Sequence, residues 1–158
     1  MPTSPAVPAV SPPVRVEISS VGIDARVDPV GIADDGQMAL PPDPDDLGWY
    51  RFGPAPAQDT GSVVLGGHLD STTFGVGQLS RLRDLAPGDG VMITSADGST
   101  SAYRVQAVER FPKALLPVGD LYRREGPPAL VLITCAGAFD PDRGGYQENL
   151  VVTAVPTG

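Results

Sequence analysis

Apolar residues fall at alternate positions along much of this chain, and a period of two predicts strands. In "VRVEI", Val14, Val16 and Ile18 alternate with Arg15 and Glu17. "IDARV" repeats the pattern after a turn at Gly22. "DDGQMAL" reads as an Asp-Gly turn leading into a short strand. "SVVLGGH" is an unbroken apolar run ending in two glycines, the pattern of a fully buried strand. "GVMITSADGSTSAYRVQAVERF" predicts a hairpin turning at Asp97-Gly98, with Tyr103, Val105 and Ala107 on one face of its second strand. "PALVLITC" and "NLVVTAV" add two apolar strands. The Pro-, Gly- and Asp-rich residues 41–61 read as one long loop, a place where function can reside. Helix is scarce. Leu79, Leu82 and Leu85 in "GQLSRLRDL" support about two turns, and "VGDLYRR" another. The pattern therefore predicts a mostly β fold: seven or eight short strands in an antiparallel or mixed sandwich or a closed barrel, with one or two short helices.

The first thirteen residues, "MPTSPAVPAVSPP", carry five prolines and no apolar period. Such a segment favours extended polyproline II, so residues 1–13 are expected to be a linker and 14–158 a single folded domain. A length of 158 residues suits one domain with a hydrophobic core of its own. The net charge of −8 argues against nucleic acid or an anionic membrane surface as the main partner, because both attract a basic footprint. No apolar run approaches the roughly 18 to 20 residues of a membrane span, and no signal peptide is recognisable. The chain is expected to be soluble, with any membrane anchor lying outside it.

Two residues then change the picture. Cys135 is the only cysteine and His68 the only histidine. Each follows an apolar run and stands beside small residues: Gly66 and Gly67 before the histidine, Ala136, Gly137 and Ala138 after the cysteine. A free cysteine often simply packs in a core, and a histidine often serves as scaffold. Strand ends, however, open onto loops, where a ligand can reach a side chain. If both meet at one rim, an imidazole can take the thiol proton, and the thiolate is the strong nucleophile. A cation would then offset the oxyanion formed on an acyl group. Arg143 is the only arginine beyond Cys135, with Asp140 and Asp142 beside it as competing surface partners. Arg104 on the hairpin is the next candidate. A metal site is the weaker reading. One Cys and one His make a poor zinc set, and "PPDPDDLG" lacks the spacing of a calcium loop.

The motifs resemble those of sortases. "LITC" is similar to the Thr-Leu-x-Thr-Cys signature, with Ile133 in the variable position and Val131 where threonine is usual. "GSVVLGGHLDS" resembles the Gly-His-x-Asp-Ser region around the sortase histidine. "VGIDARV", "GWYRFGPAPAQDTGS", "LSRLRDLAPGDGVMI" and "FDPDRGGYQENLVVTA" resemble the actinobacterial subgroup called class F. The likeness runs from about Val14 to the C-terminus, and it rests on the order and spacing of the motifs together. It implies a closed barrel of about eight strands and a cysteine transpeptidase without cofactor or metal. The substrate it implies is a C-terminal sorting signal similar to Leu-Pro-x-Thr-Gly, cleaved between Thr and Gly through a thioester. The acceptor it implies is an amine of a cell-wall precursor or a pilin. It further implies a monomer at the outer face of the membrane, held there by an N-terminal anchor. By position, Cys135 is then the nucleophile, His68 the acid and base, and Thr134 a lining residue of the substrate site. One departure stands out. Relatives commonly carry arginine directly after the tyrosine of the final motif, where this chain has Gln147 after Tyr146. The resemblance therefore leaves the arginine role to Arg143.

Two other readings stay open at this point. A cysteine hydrolase on the same scaffold would use water as acceptor. A non-catalytic β-barrel binding module would keep Cys135 as a packed thiol, resistant to alkylation until unfolding.

Overall fold

The computed structural model describes residues 11–34 and 36–157. Ten strands follow in chain order: β1 Pro13–Ile18, β2 Ile23–Val30, β3 Leu47–Tyr50, β4 Ser62–Gly66, β5 Asp70–Ser71, β6 Gly75–Val76, β7 Gly90–Ser95, β8 Thr100–Pro112, β9 Ala129–Asp140 and β10 Gly145–Pro156. Eight of them close a barrel in the order β1-β2-β3-β4-β9-β10-β8-β7, and β5-β6 form a separate two-stranded sheet. The expected mostly β closed barrel is the observed fold. Its pairings are antiparallel except β2 with β3 and β4 with β9. Closure leaves the barrel without an open sheet edge.

Period-two patterning explains the core. Val16, Ile18, Ile23, Ala25, Val27, Leu65, Ile93, Tyr103, Val105, Leu130, Leu132 and Val152 all point inward. The helical segment Gln78–Asp84 is 3-10 rather than α. A 3-10 turn has three residues, so the i, i+3, i+6 leucines align on one face. Leu79, Leu82 and Leu85 are buried in the barrel core. α1, Val118–Leu121, is the other short helix foreseen.

Four expectations are corrected. Val14 does not join the inward face of β1: the register shifts between Pro13 and Arg15, so Pro13 is buried and Val14 faces out. The inward face of β8 changes in the same way. Val105 pairs with Ala154 and Ala107 with Thr153, which leaves Gln106 as an extra residue, and Val108 rather than Ala107 packs on the core. The loop of residues 41–61 contains β3, a strand too short and too closely flanked by Gly, Pro and Asp to be read by period. The strand after the Asp-Gly turn shrinks to a single bridge, Ile32 to Met38, and Asp35 of that turn lies outside the described residues. Of the linker, residues 1–10 lie outside the described residues. Its last residues already meet the barrel: Pro13 pairs with Ser95 of β7, and Ala96 N–H, just past β7, donates to the Pro12 carbonyl at 2.9 Å.

The core makes a direct prediction. Leu82→Ala should cost about 2–5 kcal/mol in urea unfolding, because its side chain is fully enclosed. Leu115→Ala, at a side chain 71% exposed, should stay within about 0.5 kcal/mol of the parent.

Candidate active site

Alternate residues of β9 divide between two apolar clusters. Leu130, Leu132 and Ala136 point into the barrel, while Val131 and Ile133 point outward to a second cluster with Val64, Leu121 and Val151. By the same alternation Cys135 shares the outer face with Ile133. β9 runs five residues past the cysteine to Asp140, so Cys135 lies within a strand and not at its end. The strand continues past its small successors because β10 pairs on both sides of them: Cys135 with Asn149, Ala136 with Glu148, Phe139 with Tyr146. Two residues of β9, Gly137 and Ala138, there oppose Gln147 alone, a bulge that bends the strand just beyond the sulfur. Gly137 has φ +78°, and the Glu148 carboxylate lies over it in the space a side chain would need.

β9 also places His68. β4 runs parallel to β9 as far as the pair Gly66–Ile133. Gly67 N–H then donates to the Ile133 carbonyl at 3.2 Å, and Thr134 Oγ1 donates to the Gly67 carbonyl at 3.0 Å. Gly67 is thus held at both polar groups by consecutive residues of the cysteine strand. A side chain at Gly67 would press on Leu79 Cδ1 at 2.7 Å and on the Asp46 carbonyl at 3.2 Å, which is why the approach needs glycine. His68 is the next residue. Beyond it, Tyr146 Oη donates to Asp70 Oδ2 at 2.6 Å, and Tyr146 packs edge-on against Phe139 at 5.1 Å. The histidine loop is therefore fastened to β9 on one side and to β10 on the other.

Cys135 and His68 line one cavity of about 760 Å³ on the outer barrel face. Met38, Leu40, Tyr50, Leu116, Tyr122 and Ile133 give it an apolar wall. Asp70, Lys113 and Glu148 bring charge to the end that holds the sulfur. Burial pushes the thiol above its ordinary range; Lys113 opposes that shift and Asp70 adds to it. The Tyr146 phenol is pushed up to about 12, chiefly by its hydrogen bond to Asp70. Within the described residues neither the thiol nor the imidazole makes a hydrogen bond to another side chain. Catalytic hydrogen bonds commonly tighten only when substrate is bound.

Thr134 is among the residues that line the cavity; it is 2% exposed, and its hydroxyl is engaged with Gly67, so it also holds the histidine loop. The two arginines are placed differently. Arg143 sits in the 3-10 turn Pro141–Arg143 between β9 and β10. Its side chain is 78% exposed, with Nε 3.7 Å from Asp140 Oδ2, and it is not among the cavity-lining residues. Arg104 pairs with Val155, six positions along β10 from the Asn149 that pairs with Cys135, at the far end of the barrel. Sequence reasoning passed over Asp70 and Tyr146 as partners and passed over Lys113. The signal for Lys113 was available, since it is the only lysine in the chain.

Comparison with known proteins bears on the fold and the family. The barrel is similar to sortase C1 of GBS Pilus Island 1, with TM-score 0.67 and 20% identity over 91% of this chain and 64% of that one. It is similar to sortase C-1 from Actinomyces oris, with TM-score 0.65 and 21% identity over 91% and 73%. It is also similar to sortase A from Corynebacterium diphtheriae, with TM-score 0.66 and 19% identity over 96% and 63%. The chain thus spans roughly two thirds of the length of these structures, and at such identities the likeness shows the fold. No curated protein matches the sequence. The family model described as the sortase domain matches residues 16–157, and the chain belongs to the sortase family.

The clamp on Gly67 is testable. Thr134→Val keeps the shape and removes the donor to a buried carbonyl. It should lower stability by about 1–3 kcal/mol in urea unfolding. Thr134→Ser, which keeps the hydroxyl, should retain the larger part of it.

Proposed function

We propose that this chain is a cysteine transpeptidase of the class F type that cleaves a C-terminal sorting signal similar to Leu-Pro-x-Thr-Gly. The observation that carries the reading is the shared cavity: the only cysteine and the only histidine line it, with an apolar groove leading up to the sulfur. A groove of this size suits an extended peptide with an apolar residue and a proline ahead of the scissile bond.

The chemistry follows from the two groups. His68 accepts the Cys135 proton, and the thiolate attacks the threonine carbonyl carbon. A C–S bond forms as the carbonyl π pair moves onto oxygen. Collapse restores the carbonyl and breaks the C–N bond, and the departing amine takes a proton from the imidazolium. The thioester is then attacked by an acceptor amine, which passes a proton to His68 and displaces the thiolate. The acceptor in this reading is an amine of a cell-wall precursor or a pilin, and the setting is the outer surface of the cell. Among the described residues no helix is long and apolar enough to cross a membrane. Burial pushes the thiol up, so the site suits a nucleophile that is generated by proton transfer to His68 once substrate fills the groove.

The experiment is mass spectrometry of the protein incubated with a library of sorting-signal peptides, with and without an added glycine peptide as amine. A thioester on Cys135 is expected, together with an amide product when the amine is present. Release of the acid alone in both arms would make the chain a hydrolase. Absence of any adduct, together with a thiol inert to alkylation until unfolding, would make it a binding module. His68→Ala should slow turnover by about a hundredfold or more, and Cys135→Ala should abolish it.

A further inference from the structure

Attack by Cys135 places negative charge first on sulfur and then on oxygen, and a partly buried centre needs a cation to offset it. Two side chains of permanent positive charge line the cavity, Lys113 and Arg124. They enter it from different ends. The Arg124 main chain packs against Gly61, five residues before Gly66 along β4, about 17 Å of strand away from the cysteine end. Lys113 begins where β8 stops. Ala136, Glu148 and Pro112 form one row across β9, β10 and β8, one step past Cys135, and Lys113 is the next residue. Its Nζ donates to the Gly144 carbonyl at 3.3 Å, which holds the ammonium against the turn of the β9–β10 hairpin. An ammonium has three donors, so two remain for sulfur or for an oxyanion. Its flexible stem allows the small advance that Arg143, facing outward beside Asp140, would have to replace with a reversal.

We propose that Lys113, rather than Arg143, supplies the positive charge at the acyl-transfer centre, holding first the Cys135 thiolate and then the oxyanion of the tetrahedral intermediate. The assignment rests on the transpeptidase reading of the same cavity. The charged and titratable groups around Cys135 are His68 from the loop after β4, Asp70 from β5, Tyr146 and Glu148 from β10, and Lys113 from just past the end of β8. Two of these, Asp70 and Glu148, are carboxylates, and Lys113 is the side chain of permanent positive charge that faces them at the sulfur end. The direction agrees with the thiol, which Lys113 lowers against the opposing effects of burial and Asp70. The chain carries one lysine against ten arginines, and that lysine stands at this cavity.

The test is the pH profile of Cys135 alkylation by uncharged iodoacetamide in the full chain, for Lys113→Met, Lys113→Arg and Arg143→Ala. Lys113 is exposed, so these proteins are expected to fold, and a thermal melt checks each. Lys113→Met should move the profile to higher pH and slow alkylation at neutral pH by about tenfold. Lys113→Arg should restore most of the rate, because the charge returns. An unmoved profile in Lys113→Met overturns the proposal. So does an equal shift in Met and Arg variants, which marks a packing effect, and so does a shift confined to Arg143→Ala. Thioester formation on a sorting peptide, followed in the parent protein, separates the two levels. Its absence would sink the transpeptidase reading, whereas its presence with an unmoved Lys113→Met profile would sink only the lysine assignment.

Discussion

Hydrogen bonding between β4 and β9 governs the geometry of this site. Parallel strands bond at even spacing, so their side chains advance in step. From Ser62 with Ala129 to Gly66 with Ile133 the two strands keep one register, and Gly67 continues it through the Ile133 carbonyl. A slip of one residue would turn His68 or Cys135 to the opposite face. Thr134 adds a side-chain bond to the same glycine, and Asp70 with Tyr146 fastens the far side of the histidine loop. Distance between the two reactive groups is thereby a property of the sheet rather than of a free loop.

The same strand separates structure from chemistry. Its inward residues fill the barrel, and its outward residues form the floor of a groove. Cys135 is the last outward position before the bulge at Gly137. Burial among groove residues keeps the thiol protonated, while the acidic neighbours Asp70 and Glu148 do nothing to ease ionisation. A substrate that enters the groove excludes water and strengthens each remaining electrostatic interaction. Under the proposed transpeptidase reading, the reactive state is thereby linked to occupancy.

Much of this was legible in the chain. Alternation in β2 and β7 follows the period of two, β4 is the fully buried run its unbroken apolar sequence suggests, and the leucines of the 3-10 segment follow a period of three. Cys135 and His68 were visible as single chemical groups beside small residues. What escaped reading was non-local. Bulges at Val14 and Gln106 reverse a face by inserting one residue, and nothing in a local window announces them. β3 exists because β2 and β4 flank it, not because four residues favour a strand. The length of β9 beyond Cys135 comes from its partner β10. Arg143 drew attention by its position in sequence, but the hairpin turn and Asp140 direct its side chain outward. Lys113 is twenty-two residues before the cysteine, and only the row across β8, β10 and β9 brings it near.

The central claim is that one cysteine and one histidine, fixed by the β4–β9 register, share a single reactive site. A short bifunctional alkylating reagent, 1,3-dibromoacetone, tests it most directly, because the chain offers only one thiol and one imidazole. The reagent should alkylate Cys135 with one arm and His68 with the other. Peptide mapping of the folded protein would then yield a single cross-linked pair carrying both residues, lost when the protein is unfolded before treatment. Alkylation of Cys135 with no link to His68 in the folded protein would contradict the account.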